Sequence, residues 1–159
     1  MARADHHKSI RDAIAADLIT FFAAQDPAVT LGVVTLEDVE TDWQRVKSLP
    51  AVFVSCIGPE QRRPEFDTNR RDGMGFPVLV ALVGTGVTGA TASDKDLPDL
   101  TAFRSWVFGR YNQQRVAGVD EVGYCEVSDS GGLYDKDSPM FQRLQTAVVV
   151  LACGRFPRV

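Results

Sequence analysis

Apolar residues recur at helical spacing at the start of the chain. Ile10, Ile14, Leu18 and Phe21/Phe22 fall on one stripe between Arg3 and Gln25, with the charged Asp12 and Asp17 turned away from it. A stripe of that width packs on a core while the polar side stays wet, so the pattern predicts an amphipathic helix. It ends before Asp26-Pro27, because the residue ahead of a proline disfavours helical backbone. The β-branched stretch Val29 to Val34 predicts a short strand. Thr35 then has the form of an N-cap, and Leu36, Val39, Trp43 and Val46 repeat every three to four residues, which predicts a short second helix stopping near Leu49-Pro50.

From Pro50 the period changes to two, with Val52, Val54 and Cys56 on one side and Phe53, Ser55 and Ile57 on the other, as in a strand covered on both faces. Phe76 to Val83 is its partner, a continuous apolar run bounded by glycines. Between them, residues 58–75 hold two arginine pairs, Arg62-Arg63 and Arg70-Arg71, and little apolar content besides Phe66 and Met74, which predicts a long polar loop or arm. The segment Gly84 to Gly89 reads as a further loop. Asp94 to Asp99 is a polar, proline-containing entry to a third helix, with Leu100, Phe103, Val107 and Tyr111 along one face, Trp106 and Phe108 flanking it, and Gly118 closing it. Val119 to Val127 alternates again, with Val122 and Tyr124 facing one way and Gly123, Cys125 and Val127 the other. The chain closes on the strand-like run LQTAVVVLACGRFPR, with Gly154 and Pro157 loosening its end. Two adjacent strand pairs without a crossover helix imply hairpins. The expected fold is a single α+β domain spanning 1–159, with a mainly antiparallel sheet of about four to five strands and helices packed on one face.

Composition narrows the function classes. With 45% hydrophobic and 24% charged residues the chain has the make-up of an ordinary globular domain, and no apolar run approaches the roughly 20 residues a membrane helix needs. No secretory leader is evident, so cytoplasmic synthesis is the default. The formal net charge of -4 argues against a surface built to hold nucleic acid. Cys56, Cys125 and Cys153 are odd in number and set in apolar runs, as buried free thiols are.

Candidate chemistry is sparse. Gly84, Gly86 and Gly89 follow an apolar strand in the spacing of a dinucleotide-binding loop, but that loop works by starting a helix whose amides meet the pyrophosphate. Here ATASDKDLPD follows, so the helix begins too late, and no cofactor is expected. His6 and His7 sit together at the start of the first helix without a third ligand at metal-like spacing, which places them in solvent and predicts no metal site and no catalytic residue. The acidic residues cluster at helix entries, where the dipole favours them. The arginine pairs have Glu60, Glu65, Asp67 and Asp72 close by in sequence, so they form either a solvated loop or an interaction arm.

The segments LPAVFVSCIGPEQRRPEF and RRDGMGFPVLVALVG, followed by VDEVGYCEVSDSGG and LQTAVVVLACGRFPR, run in the order strand, arginine-rich arm, Pro-Val strand and closing hairpin. Together with the amphipathic first helix this order, over nearly the whole chain, resembles the tail terminator proteins of long-tailed bacteriophages. The resemblance implies a structural virion protein without catalysis, made in the host cytoplasm. It would form a homo-hexameric ring on the head-proximal end of the tail tube, stop tube growth and offer a surface to the head-tail connector, with no membrane and no sequence-specific nucleic acid as partner. Arg62, Arg63, Arg70 and Arg71 would then contact a neighbouring subunit or the tube. Two other readings stand beside it: a small nucleotide-binding enzyme using Gly84 to Gly89, and a generic adaptor domain.

Overall fold

The longest β-branched runs of the chain form the middle of its sheet. In the computed structural model, residues 3–24, 32–36, 51–87, 96–130 and 143–157 are described. The elements are α1 (Arg3–Ala23), β1 (Gly32–Leu36), β2 (Ala51–Cys56), β3 (Gln61–Arg62), a 3-10 turn (Pro64–Phe66), β4 (Arg71–Val87), α2 (Asp96–Tyr111), β5 (Val122–Ser130) and β6 (Arg143–Pro157). All strands join one sheet in the order β1-β2-β4-β6-β5, and β3 pairs with the stretch of β4 that β2 leaves open. Among the described strands only β1 and β2 run parallel, and every other strand pair is antiparallel. This is the expected α+β arrangement, with both described helices packed on one face of the sheet.

That face is built by alternation within long strands. Phe76, Val78, Val80 and Leu82 of β4 and Val148, Val150 and Ala152 of β6 point to the helices, which answer with Ile10, Ile14 and Leu18 of α1 and Phe103, Val107 and Tyr111 of α2. Each of the valine, leucine, isoleucine and phenylalanine side chains among these contributes about 1.5–3 kcal/mol by leaving water. The outer face is also apolar at its centre, where Phe53, Leu79, Ala81 and Ala147 are buried. Two covered faces explain why Phe76 to Val83 reads as an unbroken apolar run rather than an alternating one.

Pro77 lies in this central strand without breaking it. Its carbonyl accepts the Ile57 amide at 3.2 Å just past the end of β2, so its missing N–H also faces that strand end and the ladder to β6 loses no bond. The same carbonyl accepts a hydrogen bond from His7 Nε2 at 2.7 Å, which places a proton on that nitrogen. His7 is therefore not solvated, and neither is His6. Both are 8% exposed, and the His6 ring meets Phe156 edge-on at 5.0 Å. The first turns of α1 lie over the aromatic end of the core, which the one-dimensional pattern does not reveal.

Other boundaries move for local reasons. Thr35 and Leu36 pair with Val54 and Ser55, so β1 runs through the expected N-cap; the remainder of that expected helix, 37–48, lies outside the described residues. Gly84 to Val87 continue β4 as strand rather than forming a loop, with a register shift between Val83 and Val87 that glycines accommodate; Thr88 and Gly89 lie outside the described residues. Gly154 and Pro157 are paired with Met74 and Arg71, so the end of β6 is not loosened. In β5 a bulge between Val122 and Tyr124 turns Val122 to the same buried face as Cys125, which inverts the expected alternation at that end.

The third helix of the sequence reading, α2, ends at Tyr111, well before Gly118. Gln113 takes a left-handed conformation at φ 61° and donates its amide to the Cys125 carbonyl at 2.8 Å, while Asn112 Oδ1 accepts the Val127 amide. This turn covers the open edge of β5 and blocks further strand pairing there. A Cβ in the left-handed region costs about 1–2 kcal/mol, and glycine gives back part of that through chain entropy. Gln113→Gly is thus expected to raise stability by roughly 0.5–1 kcal/mol, read as a higher urea midpoint. An unchanged or lower midpoint would place the value of this residue in its side chain instead.

Candidate functional site

The arginine-rich segment does not project as an arm. Gln61 and Arg62 pair with Gly75 and Met74, Arg63 N donates to Gly73 O at 2.8 Å, and β4 has already begun at Arg71, so 58–75 is a tight hairpin with its tip at the 3-10 turn. Pro64 opens that turn, where its fixed φ suits the helix start and no N–H is needed. Asp67 closes it by accepting the Gly73 amide through Oδ1 at 2.7 Å. Gly73 is what allows the fold-over. A Cβ there would run into the Arg63 carbonyl and the Phe66 side chain.

The tip lies back across the outer face of β4 and β6 and reaches β5. Phe66 meets the Tyr124 ring edge-on at 5.7 Å, and Arg63 Nη2 donates to Glu126 Oε2 at 2.8 Å. Arg155 of β6 anchors the turn from below, donating Nε to the Phe66 carbonyl at 3.0 Å. Burial, then the neighbouring Cys153 and Glu126, push the Tyr124 hydroxyl up to about 12, so it stays a neutral phenol.

The four arginines singled out in the sequence divide into two pairs with different roles. Arg62 donates to Asp67 at 2.8 Å and lies 3.7 Å from the buried Asp72, and Arg63 is held between Glu126 and Glu65. These two tie the turn down. Arg70 and Arg71 are exposed and form no ion pair with any described residue; the Arg71 side chain lies 3.5 Å from the Arg155 carbonyl. They are exposed cations on backbone held by the turn and by the start of β4, so a docking carboxylate finds the chain in place and has only the two side chains to order.

Beside them an open groove of about 430 Å³ runs between the turn and the start of β5. Phe66, Arg71 and Arg155 line it on the β4 side, and Asp120, Glu121 and Tyr124 on the β5 side, with Cys153 beneath. Sequence reasoning missed Phe66, Tyr124 and Arg155 as a unit, because strand pairing across β4, β6 and β5 is what brings them together. A second groove of about 420 Å³ lies between α2 and β5 and leaves Phe108 46% exposed beside Gly109.

The thiols are structural. Burial pushes Cys125 up to about 12 and raises Cys56 and Cys153 as well, which disfavours the nucleophilic thiolate. All three are free, and Cys56 is only half-buried. Among the described residues no three of His, Cys, Asp and Glu converge as a metal would require, and no helix is long and apolar enough to cross a membrane.

Fold and site together define an α+β protein whose sheet carries an exposed, arginine-bearing end. Compared with known proteins, the chain matches no family model and no curated sequence.

Proposed function

We propose that the protein is a structural ring component of a phage tail, a tail terminator that caps the head-proximal end of the tube and receives the head connector. The observation that carries this reading is the placement of two large exposed apolar side chains on opposite flanks. Ile19 of α1 is 55% exposed, and it lies on the side of α1 away from α2, since Asp17 and Phe21 are the residues that meet α2. Phe108 lies on the far side of α2, toward β5. A closed ring needs two different, mutually complementary flanks on each subunit, because its contacts run head to tail. Arg70 and Arg71 then supply a charged face at one end of the sheet, suited to oriented docking on a tube or connector.

Light scattering and electron microscopy of the purified protein, alone and with tail tubes, test the reading. A ring is expected in solution or on tubes, and Ile19→Asp or Phe108→Asp should each abolish it while the far-UV spectrum is unchanged. Arg70→Glu combined with Arg71→Glu is expected to leave the monomer folded and to weaken docking at least about tenfold, in line with the loss of desolvated charge pairs. Absence of any ring in solution, on tubes and in virions would overturn the reading.

A further inference from the structure

We propose that the groove between the 3-10 turn and the start of β5 receives an extended segment of a partner protein, with a partner carboxylate landing on Arg71 and Arg155. The inference rests on the reading of this end of the sheet as an assembly face, and it adds the chemistry of what docks there.

The two guanidinium groups are held by backbone carbonyls rather than by carboxylates. Arg155 donates Nε to Phe66 O at 3.0 Å, and Arg71 Nη1 lies 3.5 Å from Arg155 O. Neither cation has an ion pair with any described residue, the Nε bond orients Arg155, and among the described residues nothing takes its terminal nitrogens, which suit a forked contact with a carboxylate. The aromatic rings of Phe66 and Tyr124 give the groove an apolar side, and Gly123, exposed and without a Cβ, leaves backbone open to close approach.

Asp120 and Glu121, on the β5 side, decide between classes of partner. Nucleic acid carries closely and continuously spaced phosphates, one charge per about 1.7 Å of duplex, so any strand laid on Arg71 and Arg155 would also set phosphates against these two carboxylates. A peptide can place one acidic side chain on the arginines and a neutral or basic one beside Asp120. The net charge of -4 acts in the same direction, since it repels a polyanion at long range.

The test is titration of the isotope-labelled protein with a short acetylated peptide of alternating Glu and Lys, followed through its backbone amides. Saturable shifts are expected at Gly123, Gly154 and Arg155. Arg155→Gln and Arg71→Gln should each weaken binding at least about tenfold with the remaining spectrum unchanged, as expected for loss of a bidentate charge pair. An all-Lys peptide should leave these amides unmoved, and single-stranded oligothymidylate should bind more weakly than the Glu-containing peptide. Shifts that miss the groove, that persist in both variants, or an oligothymidylate that binds tighter, would overturn the proposal. Peptide binding without any ring would leave the groove standing and remove the ring reading; a ring without peptide binding would do the reverse.

Discussion

Gly154→Ala is expected to destabilise the protein by about 3 kcal/mol, the upper range for forcing extra volume into a packed site. Gly154 pairs with Met74 on one side and Val122 on the other, at the β5 bulge. A Cβ on it would overlap the Glu121 carbonyl oxygen and crowd the Val122 Cα at 3.0 Å. Both obstacles are backbone, so no side chain can swing away, and relief requires β5 to move off β6. That movement would break the bond from Arg155 N to Glu121 O, now 3.2 Å, and shift Tyr124 and Glu126, which hold the arginine-rich turn. Urea unfolding should show the lower midpoint, and the amides of Phe66 and Gly73 should lose exchange protection together with those of β5. A loss below about 1 kcal/mol would mean that the strand ends yield more easily than the close approach implies.

Asp17→Asn is the second large effect expected, and it carries a pH signature. Asp17 lies on the α1 side that meets α2, where Oδ1 and Oδ2 accept from Arg110 at 2.6 and 2.9 Å and Oδ2 accepts from the Tyr111 hydroxyl at 2.7 Å. Its side chain is only 10% exposed. Burial alone would push this carboxyl up, but the hydrogen bonds from Arg110 and Tyr111 and the Arg110 charge outweigh burial and hold it below the ordinary carboxylate range. The same burial, followed by the bond to Asp17, drives the Tyr111 hydroxyl far up, so it remains a donor throughout the accessible range.

A carboxyl whose folded pKa is depressed binds its proton more weakly in the native state than in the unfolded chain. Its contribution is therefore complete above the unfolded value near 3.9 and fades as pH falls through that value toward the lower folded one. Wild-type stability should drop from about pH 5 downward, and part of that drop should vanish in Asp17→Asn. At pH 7 the variant should be less stable by about 2 kcal/mol, within the range for hydrogen bonds to a charged group, since the Tyr111 hydroxyl stays buried while the half-exposed Arg110 is taken up by water. Identical pH profiles for the two proteins would show that the α1–α2 seam does not depend on this charge.

Much of the architecture was legible. Strands at Pro50 to Ile57, at Phe76 to Val83 and at the chain end, and the first and last helices, follow from local apolar spacing, since that spacing decides which backbone form can bury one side. The antiparallel pairing of β2 with β4 and of β5 with β6 followed as well, from the absence of room for a crossover. Less of the candidate site was legible. Four arginines stood out by their pairing in sequence, but that Arg62 and Arg63 are tied down while Arg70 and Arg71 are not depends on Glu126, which lies far along the chain, and on how Asp67 and Asp72 fold beside them. Asp17 looked like a solvent-facing charge on the polar side of a helix; the approach of α2 makes it a buried acceptor. The histidines failed for the same reason, because two aromatic rings from β4 and β6 close over the start of α1.

The sequence by itself determined the kind and order of α1, β1, β2, β4, α2, β5 and β6 and their arrangement as a sheet with helices over one face. These depend on the spacing of side chains within one segment, and a segment carries that information alone. Only the tertiary structure decided that the arginine-rich stretch lies folded across the sheet rather than extending from it, that the glycines after Val83 continue a strand, and that a charged groove opens beside Tyr124. Each of those rests on residues such as Arg63 and Glu126, or Gly73 and Phe66, whose meeting is set by strand register and by the absence of a Cβ at one position. Neither leaves a periodic trace in the chain.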